Sequence, residues 1–255
     1  LRSEWNHIIG KIEEYGTTEA VEDRVDLTAS LQKSFRRISA SVNIRKPFIT
    51  QMETPVLPYA GLDVRLLEKT NHQLLMKINA SGNFRAPTMN DRYWKDAGRK
   101  DLLPETSYAT EGGLDWNIQQ RHRLEATFFY QRVEDWIQWV PESNGIYRPQ
   151  NVKEVGIKGI ETSAESNLTR GLFSFRAKVS YQFTRSVTKQ THDTDQASIG
   201  KQLIYTPIHT AAATLGSGYK SWSLNLFLQY SGKRYTDASN ASIYALDPFA
   251  LVDLS

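Results

Sequence analysis

The sequence predicts an all-β protein, an antiparallel up-and-down β-barrel that crosses a membrane. Three observations predict it. The chain alternates apolar and polar residues over stretches far longer than ordinary strands. Its connections alternate between short and long. Its prolines fall only in or beside the long ones.

The clearest alternation is "LFSFRAKVSYQFTR" at 172–185. Phe173, Phe175, Ala177, Val179, Tyr181 and Phe183 share one parity, and Ser174, Arg176, Lys178, Ser180, Gln182 and Thr184 the other. Successive side chains of a strand point to opposite faces, so one face is apolar and the other polar. Strands in soluble domains usually run about 5–6 residues, much less than this. The same pattern recurs in order at 24–31, 37–44, 73–85, 123–131 and 221–231, and no long stretch keeps the helical period. About twelve strands result, near 3–14, 22–34, 36–46, 57–69, 72–85, 107–118, 122–140, 151–168, 171–189, 201–216, 220–236 and 246–255.

The connections at 34–36, 70–72, 119–121, 169–171 and 218–221 are tight. Those at 15–22, 46–58, 86–105, 141–150, 191–200 and 236–248 are longer. All 9 prolines (Pro47, Pro55, Pro58, Pro87, Pro104, Pro141, Pro149, Pro207 and Pro248) sit in or beside the long set, none at a strand centre, where a ladder hydrogen bond would be lost. Alternate connections of an up-and-down barrel share a rim. One short and one long rim is the pattern of outer-membrane barrels, with short periplasmic turns and longer extracellular loops. Trp222 and Tyr230 lie on one apolar face, eight residues apart. At about 3.3 Å per residue and a tilt near 40°, that spans roughly 20 Å along the membrane normal, which accounts for the strand length. A large soluble β-sandwich explains the alternation but not the length or the one-sided loops.

Composition excludes several classes. Lys plus Arg (31) nearly balances Asp plus Glu (28), and no basic run marks a nucleic-acid partner. The absence of cysteine removes disulfides and thiolate metal sites. The 5 histidines, His7, His72, His122, His192 and His209, lie singly. No apolar run approaches the roughly 18 residues of a transmembrane helix, and the N-terminus lacks a signal-peptide apolar segment. Both ends read as mid-strand, so a fragment of a longer chain is expected. No metal site or cofactor is expected either.

Several motifs sharpen the fold. "NFRAPTMNDRYW" (83–94) is followed by "LLPETSYATEGGLDW" (102–116), then "NVKEVGIKGIE" (151–161), "GKQLIYTPIHT" (200–210) and "SGKRYTD" (231–237). From about residue 72 onward this order and spacing resembles the barrel of TonB-dependent outer-membrane receptors. The residues that carry the resemblance are Phe84, Arg85, Ala86, Pro87 and Thr88, then Leu102, Pro104, Glu105, Glu111 and Gly113, then Asn151, Val152, Gly159 and Glu161, and finally Gly232 and Arg234. One departure is visible: Gly98, Arg99 and Lys100 stand where family members often carry Gly-Asn-Pro. The resemblance implies a 22-stranded barrel around an N-terminal plug, whose TonB box the TonB complex pulls. Residues 1–255 would then be a partial barrel domain, roughly strands nine to twenty, with the plug and final strands outside this chain.

No catalytic constellation is present. No serine sits in a nucleophile elbow, so an enzyme is not expected. On the polar face Lys77, Arg85, Glu111, Glu161, Glu165, Arg176 and Lys178 point into the lumen. Ordinary solvation explains most of them, and the resemblance adds that some meet the plug. The stretch 91–100 interleaves Tyr93 and Trp94 with Arg92, Lys95, Arg99 and Lys100, and the next long loop carries Tyr147 and Arg148. Tyr93, Trp94, Arg99, Tyr147 and Arg148 are candidate contacts for an anionic metal chelate or a flat macrocycle such as cobalamin. A solvated charged loop with interfacial aromatics is the plainer alternative. "THDTDQ" (191–196) has carboxylates and a histidine that could hold Ca²⁺, but it lacks an EF-hand spacing, and a flexible loop is the better reading. The function that the resemblance implies is TonB-dependent import of a ferric siderophore, cobalamin or haem across an outer membrane, with that membrane's lipid around the barrel. The alternatives are a passive porin or adhesion barrel and, further off, a soluble carbohydrate-binding β domain.

Overall fold

A computed structural model describes residues 1–16, 19–142, 145–191 and 196–255. Twelve strands form one sheet: β1 (Arg2–Gly10), β2 (Ala20–Ser34), β3 (Ile38–Ile49), β4 (Leu57–Lys69), β5 (His72–Arg85), β6 (Glu105–Ile118), β7 (His122–Pro141), β8 (Tyr147–Arg170), β9 (Phe173–Gln190), β10 (His209–Tyr219), β11 (Trp222–Ser231) and β14 (Phe249–Leu254). Each is antiparallel to the next in chain order, as a meander requires. Two short strands, β12 (Arg234–Tyr235) and β13 (Ala245–Leu246), make a separate ribbon. Among the described residues, no helix is long and apolar enough to cross a membrane.

The register joins like with like. Leu62, Ile78, Gly112, Phe128, Ile160, Phe183 and His209 form one cross-strand row on the apolar face. On the polar face, Glu165, Lys178 and Thr214 form another such row. Apolar side chains on the first face are exposed, Phe128 by 63% and Val179 by 49%. Such a face needs an apolar solvent, and lipid supplies it. Aromatic pairs mark the turn end of this face: the rings of Phe173 and Tyr219 lie 4.4 Å apart, and those of His72 and Trp116 6.0 Å.

The tight turns are built by positive φ angles. Gln119 (53°) and Gln120 (56°) both adopt it, as does Gly171 (60°), where no side chain opposes it.

The loop end departs from the expected strand limits. β1 stops at Gly10, and Glu13–Tyr15 form a 3-10 turn. The expected strand at 201–216 begins only at His209. Residues before it are drawn onto β9 instead: Leu203 N–H donates to the Ser186 carbonyl (2.8 Å), and Gln202 Oε1 accepts from Ser186 N–H (3.0 Å). The expected strand at 220–236 breaks after Ser231, where Gly232 N–H turns to the His209 carbonyl (2.8 Å).

The polar face is the concave one. Trp139 of β7 donates its indole N–H to Asp91 (2.8 Å), while the adjacent Arg92 pairs with Glu22 of β2 (3.0 Å). Laid flat, strands five positions apart would stand about 24 Å from each other. Two neighbouring residues bridge that span because the sheet curls around them.

Candidate functional site

The site is the long connection from β5 to β6, residues 86–104, folded inward over the loop end of the sheet. It opens with a helix, α1 (Met89–Tyr93), closed by a capping box. Asp91 N–H donates to Thr88 Oγ1 (3.1 Å), and Asp91 Oδ2 accepts from Thr88 N–H (2.8 Å). These contacts satisfy the amide groups that a helix start leaves free. Asp91 and Arg92 are buried, at 5% and 4% exposure. Glu22, 1% exposed, takes both Arg92 and Arg24. Lys95 N–H donates to the Glu14 carbonyl (2.6 Å), so the β1–β2 connection is tied to the same loop.

Most residues of the sequence motifs hold this loop in place. The Arg85 guanidinium grips Glu105 through two hydrogen bonds, and Glu105 also accepts from Ile137 N–H (2.7 Å). The strand before the loop, the strand after it and β7 are thereby joined. Pro87 is fully buried, Pro104 half-buried and Leu102 7% exposed. Asn151 stitches the loop's exit. Its Oδ1 accepts from Leu103 N–H (3.0 Å), and its Nδ2 donates to the Leu103 (2.9 Å) and Asp135 (2.7 Å) carbonyls. Asp135, inside β7, has a positive φ of 55°, and its carbonyl is turned toward Asn151.

Two motif glycines are close-approach positions. A Cβ on Gly159 would overlap the Phe183 carbonyl oxygen and the Phe129 ring. On Gly113 it would lie 2.8 Å from Thr127 Oγ1. Glu111 and Glu161 accept from Asn79 (3.1 Å) and Gln182 (2.8 Å) in the lumen wall. Gly232 sits at the break after β11, and Arg234 stacks over Phe249, 5.0 Å from the ring centre. Phe84 lies half-buried beside Thr106 on the apolar face.

The five ligand candidates separate into two groups. Trp94 and Tyr147 come together on a cleft of about 640 Å³, walled also by Trp139, with Asn90, Lys95 and Asp96 at its edge. The other three are engaged elsewhere. Tyr93 is covered by Arg92 and Lys100, whose cationic groups stand 5.2 and 5.3 Å from its ring centre. Arg99 forks onto Asp101 (3.1 and 2.6 Å), which holds that carboxyl below the usual range. Arg148 pairs with Glu142 (3.1 Å). The proposed Ca²⁺ stretch at 191–196 has residues 192–195 outside the described ones. Sequence reasoning missed Glu22, Asp91 and Trp139. Thr88 followed three residues later by Asp91 carried the signal for the capped helix. Nothing in the sequence signalled Glu22 as its anchor.

A family model described as "TonB dependent receptor-like, beta-barrel" matches residues 18–255. The chain belongs to that family. TonB-dependent receptors are outer-membrane barrels and transport proteins, and their fold accounts for the inward polar face and the looped rim. The vitamin B12 transporter BtuB of Photobacterium profundum is 30% identical over 194 residues, 72% of this chain and 28% of that protein. BtuB of Vibrio vulnificus is 35% identical over 82 residues, 32% of this chain and 13% of that one. The chain thus spans less than a third of these relatives' length. Among solved structures, a mutant ferric enterobactin receptor, PfeA from Pseudomonas aeruginosa, in complex with enterobactin aligns with a TM-score of 0.68 at 16% identity, over 99% of this chain and 42% of that chain. The ferric-catecholate import receptor Fiu from K12 E. coli aligns at 0.65 and 18% identity, over 92% of this chain and 38% of that one. At such identities the structural likeness shows the fold alone.

Proposed function

We propose that this chain forms part of the wall and mouth of an importer in a bacterial outer membrane, for a compact nutrient taken up by TonB-dependent transport. The observation that carries this reading is the cleft between Trp94, Trp139 and Tyr147, set on a loop latched across the concave side of the sheet. Aromatic walls with a polar edge suit a flat or partly aromatic ligand of limited size. Cobalamin ranks before a ferric siderophore or haem, because the two relatives matched at 30% and 35% identity are vitamin B12 transporters. Residues 1–255 constitute a partial barrel domain on this reading, and β1 and β14 gain partners from further strands. Open strand edges are not tolerated within hydrocarbon, so the barrel must close. The plug and the TonB contact lie in other parts of the protein. Lys77, Glu161 and Lys178 face the space the plug would fill.

The test is uptake by full-length protein in cells stripped of their own receptors, supplied with labelled cyanocobalamin or labelled ferric enterobactin, with and without TonB. Cyanocobalamin uptake that needs TonB and falls at least tenfold in Trp94→Ala with Tyr147→Ala supports the reading. Uptake of neither ligand, or uptake indifferent to TonB, overturns it.

A further inference from the structure

We infer that the outer face of β8 and β9, at the loop end, holds the phosphate groups of an outer-leaflet glycolipid through Lys158, Arg185 and Lys189. This rests on the outer-membrane placement proposed above and on nothing about the imported ligand. Lys158 and Arg185 are direct cross-strand partners, and both are exposed. They stand on the apolar face, one pleat above Ile160 and Phe183. Lys189 joins them, because its aliphatic stem lies over Gly156, within 2.7 Å of where a Cβ would stand. Like charges directly opposite each other on a sheet are unfavourable. The usual remedy is a neighbouring carboxylate. The carboxylates further along the same face, Glu134 and Glu154, are taken by Arg132 (3.5 and 2.9 Å). Among the described residues, Lys158, Arg185 and Lys189 have no ion-pair partner.

The height of this cluster selects its counter-ion. Leu168, at the turn end of β8, lies ten residues from Lys158 on the same face. At about 3.3 Å per residue and a tilt near 40°, the rise is roughly 25 Å, the height of the apolar band of such barrels. The cationic groups therefore emerge where the acyl chains end and the headgroups begin. Tyr130, paired with Lys158, marks the same level. In the outer leaflet of an outer membrane the abundant anion at that depth is the phosphate of a glycolipid. Two amines and a guanidinium fit a diphosphorylated headgroup, with the guanidinium able to fork onto one phosphate.

The test uses full-length protein in phosphatidylcholine nanodiscs containing bis-phosphorylated lipid A or the same lipid stripped of phosphate, with retained lipid read by native mass spectrometry. The wild type retains the phosphorylated lipid selectively. The triple variant Lys158→Gln, Arg185→Gln, Lys189→Gln loses roughly 100-fold in affinity, at about 1 kcal/mol for each cation near an anionic surface. Arg176→Gln, on the lumen face, leaves retention unchanged. If the triple variant fails to fold, Lys158→Gln alone loses about fivefold on the same scale. Equal retention by wild type and variants overturns the inference, as does equal retention of the dephosphorylated lipid. Displacement by inorganic phosphate at matched concentration overturns the lipid as the source of the anion. Failure of the import reading appears separately, in uptake, and failure of the placement appears in membrane fractionation.

Discussion

The wall and the mouth of this sheet are stabilised by different surroundings. Along the wall, the apolar side chains of β9 to β11 are exposed, with Phe175 at 44%, Val179 at 49% and Leu224 at 52%. Their burial must come from lipid. At the mouth, Glu22, Asp91, Arg92, Glu105, Ile137 and Leu102 are each under 9% exposed without any solvent other than water. Their burial comes from the protein itself, and most of these side chains are charged. Within the hydrocarbon, a lipid-facing wall penalises an unpaired charge but asks little of side-chain fit. A folded mouth tolerates charge if every group is paired, and it asks for geometry. A substitution should therefore be read by the region it falls in, and the two regions should fail in different ways.

The largest effect is expected at the mouth. Glu22→Ala removes the acceptor of Arg92, whose guanidinium is 4% exposed and whose Nε already lacks a partner among the described residues. An unpaired buried cation costs about 3–5 kcal/mol. Adding Arg92→Met should recover most of that loss, since an apolar side chain of similar length needs no partner. Urea unfolding of the full-length protein in lipid vesicles measures both. A loss below about 1 kcal/mol for Glu22→Ala, or no recovery in the double variant, would mean the latch is ornamental. The loss should also be the same in thin and thick bilayers, because lipid does not touch it.

The wall should behave in the opposite way. Val179→Arg places a cation on the lipid face near mid-height and should cost about 2–4 kcal/mol. Ser180→Arg, one residue on, faces the polar side and should cost much less. The first loss should change with bilayer thickness and the second should not. Equal losses at the two positions would contradict the facing shown by the Val179–Ala213 and Ser180–Ala212 pairings.

This contrast also explains what could be read in the sequence. The wall was legible because its rule is local: alternate residues meet lipid and water, so Phe173, Phe175 and Val179 declare their face without reference to distant strands. The tight turns were legible for the same reason. At the mouth, partners lie far apart in sequence. Arg92 and Glu22 are separated by 70 positions and Trp139 and Asp91 by 48. No periodicity connects them. Resemblance marks the motif residues Arg85, Glu105 and Asn151, but their role in holding a loop depends on partners distant in sequence, Ile137 and Leu103 among them. Residue type alone points to Tyr93, Arg99 and Arg148, and type does not show that a neighbour already occupies the side chain. The expected strand at 201–216 failed similarly, because pairing of Leu203 and Gln202 with Ser186 overrode its alternation.

Asn151→Ala tests the exit of the mouth at intermediate cost. It leaves the Leu103 amide and the Leu103 and Asp135 carbonyls without their side-chain partner. Unsatisfied groups of this kind cost about 1–3 kcal/mol when buried, and partial access to water lowers that. The loss should be local. Trypsin cleavage after Lys95 or Lys100 should accelerate, while the unfolding midpoint of the wall stays within error. Unchanged cleavage would show that Glu105 and the buried Pro87 hold the loop alone.

The smallest effect concerns Arg99 and its partner. Hydrogen bonding from Arg99 holds the Asp101 carboxyl below its usual range. The folded value is below the unfolded one, so the pair's contribution is present above about pH 4 and is lost as pH falls through the folded value. Asp101 is 68% and Arg99 40% exposed in their side chains, so the contribution is near the lower end of about 0.2–1 kcal/mol and fades in high salt. Its interest is functional. While Asp101 is ionised it occupies the fork of Arg99, and an anionic chelate using Arg99 would have to displace it. Asp101→Asn should therefore raise affinity for an anionic ferric chelate about two- to threefold at neutral pH, on the scale of the lost pair. The gain over the wild type should vanish as the pH is lowered through the Asp101 titration, where the native carboxyl is neutral too. Affinity for cyanocobalamin, which carries little net charge, should not change. An increase for both ligands would indicate a general loosening of the loop, and no increase for either would remove Arg99 from the ligand contacts and leave the cleft to Trp94, Trp139 and Tyr147.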